Sequence, residues 1–189
     1  MHLRHDRPPA RVRQCPAASS GPAMSTPSDV SPSHQVPYRV HPATGADGPL
    51  LDAWLQARAP LPVPEARARR LSLDALLAQG GEGLCLVGRT SSGQPVCLMP
   101  VTLVHSLALG GWVAMVAEWW PPADPAEAAE AWRDACCAEL ADWCRAHGIR
   151  HIRLAPALVA DAAQAPDGFR RDADGLWTRS LLPTPKQLG

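Results

Sequence analysis

The sequence predicts a mixed α/β domain built around one sheet. Three observations predict it. Trp112 to Leu154 reads as strand, helix, strand, a parallel crossover. The apolar runs before it are joined by short Gly-containing loops, which signal antiparallel hairpins. The whole order is β-α-α-β-β-β-α-β-(α)-β-β, with no internal repeat.

Residues 1–36 are rich in Pro, Ser, Ala and Arg and poor in large apolar side chains. Such a segment buries too little surface to offset chain entropy and is expected to be a disordered tail. Met24 opens MSTPSD and offers a second start point. His2, His5 and Cys15 read as part of this tail rather than as metal ligands. The domain is expected over 37–182, with a second tail at 183–189.

YRVHPA (Tyr38 to Ala43) reads as the first strand, with Val40 facing inward. Thr44 and Asp47 compete to cap a helix from about Pro49 to Ala57, which presents Leu50, Leu51, Trp54 and Leu55 to the core. After Pro60, Pro62 and Pro64 comes a second helical region. Ser72 is expected to restart it after a bend, and Gly80-Gly81 to end it. Then come strands over Gly83–Thr90, Pro95–Leu107 and Trp112–Trp119.

Ala126 to His147 is the firmest local prediction. Ala129, Trp132, Cys136, Leu140, Trp143 and His147 recur at helical spacing on one face. Asp124 is placed to cap, Pro125 suits the first helical position, and Gly148 suits the left-handed residue that ends the helix. Ile149–Leu154 reads as a strand, Ala157–Ala165 as a short helix, and Gly168–Leu182 as a hairpin turning at Asp172–Gly175.

Composition narrows the function. The formal net charge is zero, so no bulk field draws the chain to nucleic acid or anionic lipid. No run of ~18 or more apolar residues is present to span a membrane, and the N-terminus lacks the apolar core of a signal peptide. Six cysteines in a chain expected to be cytoplasmic read as free thiols. Cys85 and Cys97 are placed as neighbours across a hairpin. The single lysine against seventeen arginines carries no functional reading.

The element order and three stretches resemble the GCN5-related N-acetyltransferase (GNAT) superfamily over about Tyr38 to Leu182. YRVHPATGADGPLLDAW resembles the family's opening strand and helix, and the meander ending at Trp119 matches its second to fourth strands. WCRAHGIRHIRL resembles the end of its central helix and the fifth strand. GFRRD matches its Gly-Phe before strand six. The resemblance implies a GNAT-type fold that binds acetyl-CoA where strands four and five part. It places the cofactor along Val116, Ala117 and Trp119, and its diphosphate on the start of the central helix.

The family motif there is Arg/Gln-x-x-Gly-x-Gly/Ala, because glycines let the backbone approach an anion. By the family's spacing from Gly148, its three defined positions fall on Ala128, Ala131 and Arg133. The sequence departs at each, and Asp124, Glu127 and Glu130 add negative charge that suits a bare helix start and repels a diphosphate. The family's tyrosine acid falls on Gln164, which cannot donate a proton to a leaving thiolate as an acid does.

Glu118 matches the position where some relatives carry a general base. A carboxylate beside Trp119 and Trp120 would be partly shielded from water, which suits that role; the plainer reading is a strand-end carboxylate in solvent. His105 is a second candidate base, or a packed strand histidine. Cys144, His147 and His151 have ligand-type residues but no fourth member at metal-site spacing, so no metal is expected. Trp119-Trp120-Pro121-Pro122 reads as a wall for an acyl chain, a contact for another chain, or a plug in the strand-four gap. Arg67, Arg69 and Arg70 face an acidic acceptor or only solvent.

Two functions therefore stand. One is an acyl-CoA-dependent N-acyltransferase in which Glu118 or water deprotonates a small-molecule or protein amine. Main-chain N–H groups of the fourth strand would hold the thioester oxygen. The other is a GNAT-like binding or regulatory module that has lost CoA. A homodimer is compatible with either.

Overall fold

Strand and helix boundaries in the computed structural model follow the predicted order. They are β1 (Arg39–Pro42), α1 (Gly48–Arg58), α2 (Val63–Leu77), β2 (Gly83–Arg89), β3 (Pro95–Ser106), β4 (Gly111–Val116), α3 (Ala129–Ala146), β5 (His151–Leu154), β6 (Arg170–Arg171) and β7 (Trp177–Ser180). The structure describes residues 39–124 and 127–183. The tail assigned to 1–36, the first-strand residue Tyr38, the helix-start residues Pro125 and Ala126, and residues 184–189 lie outside them.

The strands form one sheet in the order β1-β2-β3-β4-β5-β7-β6. Every neighbouring pair is antiparallel except β4 and β5, which α3 joins as the predicted crossover. Side chains alternate across the pleat. Leu84, Leu86, Cys97, Met99 and Val101 face α3, together with Ala114 and Val116. Cys85, Val87 and Leu98 face the opposite layer, where Leu51 and Leu55 of α1 meet Leu73 and Leu77 of α2.

The α3 face is the one the spacing predicts: Trp132, Cys136, Cys137, Leu140 and Cys144 are all buried. The helix can come this close because β2 carries a glycine beneath it. A Cβ on Gly88 would lie 2.7 Å from the Trp132 ring and 2.4 Å from Cys97 Sγ. At the far end Gly148 takes φ 73°, and the Ile149 N–H donates to the Cys144 oxygen at 2.9 Å, which closes the helix.

Several expectations are corrected. The structure starts α3 at Ala129 with Ala128 at the cap, not at Ala126 behind Asp124. The Asp124 oxygen instead accepts from the Glu127 N–H at 3.0 Å, so the chain is still turning there. The strand pairing of β4 with β5 stops at Val116 rather than Trp119. Helix α2 runs through Ser72 without a restart, and the Ser72 hydroxyl bonds back to the Ala68 oxygen at 3.2 Å. The expected helix over Ala157–Ala165 is two 3-10 turns, Pro156–Leu158 and Ala162–Gln164, broken where Asp161 caps the second.

Leu50 is exposed rather than buried. Asp47 takes the N-cap position of α1, but its side chain makes no cap bond; its carboxylate accepts from the Thr44 N–H at 2.7 Å and from Arg89 at 2.5 Å. Cys85 and Cys97 point to opposite faces, since Cys97 lies across from Gly88 and Cys85 from Pro100. The neighbour of Cys97 is Cys136 on α3.

Candidate functional site

The site begins where the ladder between β3 and β4 slips. Thr102 pairs with Met115, and Leu98 pairs with Trp120. Between those pairs β3 takes four steps and β4 takes five, so one residue is extra on the β4 side, a β-bulge. The cause is legible in β3. Leu98 exchanges both main-chain bonds with Trp120, at 3.0 and 2.9 Å. Two residues on, Pro100 turns the same edge toward β4 but has no N–H to give.

Below this point β4 and β5 run together, and Val116 with its buried side chain is the last residue of the pair. The Val116 oxygen accepts from the Ala155 N–H at 2.9 Å. Above it the strands part: the β4 side follows Leu98, while the β5 side turns into the 3-10 turn at Pro156. In the parting, among the described residues, no main-chain carbonyl accepts from the N–H groups of Ala117, Glu118 or Trp119.

A cavity of about 280 Å³ opens beside the bulge, between the sheet and the α1/α2 layer. Cys85, Leu98, Pro100 and Trp120 form its sheet wall, and Leu55, Leu73 and Leu76 its helical wall. Trp120 is steadied by an edge-to-face contact with Trp54 at 6.5 Å, and Arg58 lies over the other ring at 4.6 Å. Glu118 stands at the rim. It is exposed, so the two tryptophans do not enclose it as expected: Trp119 packs toward the α3 core and Trp120 toward the α1/α2 core. Among the described residues Glu118 has no ion-pair or hydrogen-bond partner. Burial first, and the nearby Glu118 charge second, push the Cys85 thiol up to about 12.

Arg69 also borders the cavity; its two terminal nitrogens are committed, while its Nε is buried with no hydrogen-bond partner among the described residues. The terminal nitrogens donate to the Ala59 oxygen at 2.8 Å and to Gln56 Oε1 at 2.5 Å, closing the C-terminal end of α1. Arg70 pairs with Asp74 at 2.9 Å and Asp52 at 3.5 Å, and Arg67 is exposed. Of the three, only Arg69 lines the cavity.

The start of α3 is occupied by its own contacts. Ala128 is the cap of α3 and Ala131 lies in its first turn, and residues 127–133 include no glycine. Glu127 accepts from Trp132 Nε1 at 3.1 Å. Arg133 is buried, 6% exposed, and donates to the main-chain oxygens of Leu158 at 3.2 Å and Gln164 at 2.5 Å. It fastens the two 3-10 turns to the helix. Sequence reasoning placed Arg133 at the cofactor and missed this role, since nothing local announces that two distant carbonyls converge on it.

The remaining candidates lie elsewhere. His105 stacks on Trp112 at 3.8 Å, about 24 Å along β3 from Leu98 at ~3.4 Å per residue. His147 stacks on Trp143 at 3.9 Å, Cys144 is buried in the core, and no group of three or more metal-ligating side chains converges among the described residues.

No family model and no curated protein matches the chain. Solved structures do. A GNAT family N-acetyltransferase (YhbS) from Escherichia coli in complex with CoA aligns with TM-score 0.51 over 77% of this chain and 82% of that chain, at 19% identity. The chain has the GNAT fold. A probable acetyltransferase gives TM-score 0.51 at 18% identity over 72% of this chain and 92% of that one. An integron cassette protein from the mobile metagenome of Cole Harbour Salt Marsh gives 0.52 at 19% identity, over 77% and 91%. In this version of the GNAT fold the β5–β6 connection carries two 3-10 turns, and Arg133 ties them to α3. No helix among the described residues is long and apolar enough to cross a membrane.

Proposed function

We propose that the chain is an acyl-CoA-dependent N-acyltransferase that passes an acyl group directly to an amine. One observation carries this reading. Among the described residues, the slipped ladder leaves the N–H groups of Ala117, Glu118 and Trp119 without main-chain acceptors, beside a cavity whose rim holds a Glu118 carboxylate with no partner. Main-chain donors held in place before the reaction starts stabilise charge building on a carbonyl oxygen.

The two ends of CoA fit the chain unequally. The parting of β4 and β5 suits the acyl end, with Ala117 and Trp119 as main-chain donors. The start of α3 does not suit a diphosphate: Glu130 stands in its first turn, and the Arg133 guanidinium is already bonded to carbonyls. Acetyl-CoA, when bound, supplies an acyl group whose C–S bond breaks as the N–C bond forms. Glu118 takes the amine's proton, and water supplies one to the sulfur in place of the missing tyrosine.

Thermal unfolding with and without acetyl-CoA tests this. At 100-fold over Kd the ligand adds about 2.7 kcal/mol, and an amine acceptor then releases free CoA. The closed start of α3 favours a second reading, a binding module without CoA; unchanged melting at millimolar acetyl-CoA and no thiol release would select it.

A further inference from the structure

We infer that the cavity under the β4 bulge takes a primary amine carried on a compact apolar body. This rests on the same site as the proposed acyl transfer and names the acceptor class. The volume, about 280 Å³, lies at the small end of ligand pockets.

The lining selects the chemistry. Leu55, Leu73, Leu76, Leu98 and the Trp120 ring present hydrocarbon, which rewards an apolar body and leaves the hydroxyls of a sugar without partners. Glu118 is the one charged group there without a partner among the described residues, and it sits at the rim. An ammonium therefore binds with its charge at the mouth and its body inward. Arg69 does not cancel this charge by pairing with Glu118, because its two terminal nitrogens hold Ala59 and Gln56. Ser72, the other polar side chain of the wall, donates to Ala68.

Isothermal titration of the full chain, without CoA, tests the inference with four probes. They are 2-phenylethylamine, the amino acid phenylalanine, glucosamine 6-phosphate and kanamycin. Saturable binding of 2-phenylethylamine is expected, at least tenfold tighter than the other three. E118Q should weaken it about tenfold or more, the scale of a lost charged hydrogen bond, with melting unchanged. Tighter binding of phenylalanine would assign Arg69 a carboxylate-binding role and overturn the inference, as would equal or tighter binding of either polyhydroxylated amine, or no binding of 2-phenylethylamine. Binding of 2-phenylethylamine without acetyl transfer to it would uphold the inference and count against the acyltransferase reading alone.

Discussion

Arg133 on α3 donates to the main-chain oxygen of Leu158 across 25 residues of sequence, 3.2 Å away. A second bond from the same guanidinium reaches the Gln164 oxygen. These bonds satisfy carbonyls of a connection that has no regular helix or strand to satisfy them. R133M should keep much of the buried stem's packing and lose both bonds, destabilising the fold by about 1–3 kcal/mol, from ~0.5–1.5 for each net hydrogen bond. Urea denaturation reads the loss, and a change within experimental error would show that the connection holds itself.

Gly88 is a matter of space. The contacts a Cβ would make there are with an aromatic ring and a sulfur, both themselves buried. G88A should cost about 1–3 kcal/mol through overpacking, read as a lowered melting temperature. The double variant G88A/W132L, which removes the ring, should lose less stability than the sum of the two single losses if the clash is with Trp132.

The fold was legible where a periodicity reached its full length. The α3 face, the three-strand meander and the crossover were readable because apolar spacing alone decides them. The bulge was not read, although its cause, Pro100, stood in the sequence. A proline inside an apolar run says that a ladder bond is missing, but not which neighbouring strand loses it. The α3 start was misplaced for a related reason. Asp124 and Pro125 make a good cap locally, yet the turn from Asp124 to Glu127 comes first. Glu118 was found as a residue, while its cavity was not, because Leu55, Leu73 and Leu98 come from three separate elements.

Asp47 predicts an acid limb of stability. Burial raises its carboxyl, but the Thr44 N–H, the Arg89 guanidinium, the Thr44 hydroxyl and His41 together hold it below its ordinary 3.8. Its contribution is therefore full above about pH 5 and is lost as pH falls through the lower folded value. D47N should be less stable than the parent by about 1–2 kcal/mol at pH 7, and the gap should close as pH falls below about 3. A gap that stays constant with pH would contradict the charge-based account.

The thiols predict the opposite limb. Burial, foremost, pushes Cys85, Cys137 and Cys144 up to about 12. Unfolded thiols ionise near ~8.5, so between these values the folded chain holds more protons and loses stability as pH rises. In a C15S variant, disulfide reagent at pH 8 should label none of the five remaining cysteines until denaturant is added. Prompt labelling of the native protein would place at least one thiol within solvent reach.

The account depends above all on Glu118 serving an amine beside the N–H groups of the bulge. Acetyl transfer from acetyl-CoA to 2-phenylethylamine by the parent and by E118Q measures this directly. The parent should transfer, and E118Q should lose about 100-fold or more in kcat at neutral pH, the scale of a positioned base, with the deficit shrinking as pH rises and the free amine deprotonates. Equal rates in the two proteins at every pH, or no transfer and no CoA binding by either, would contradict it.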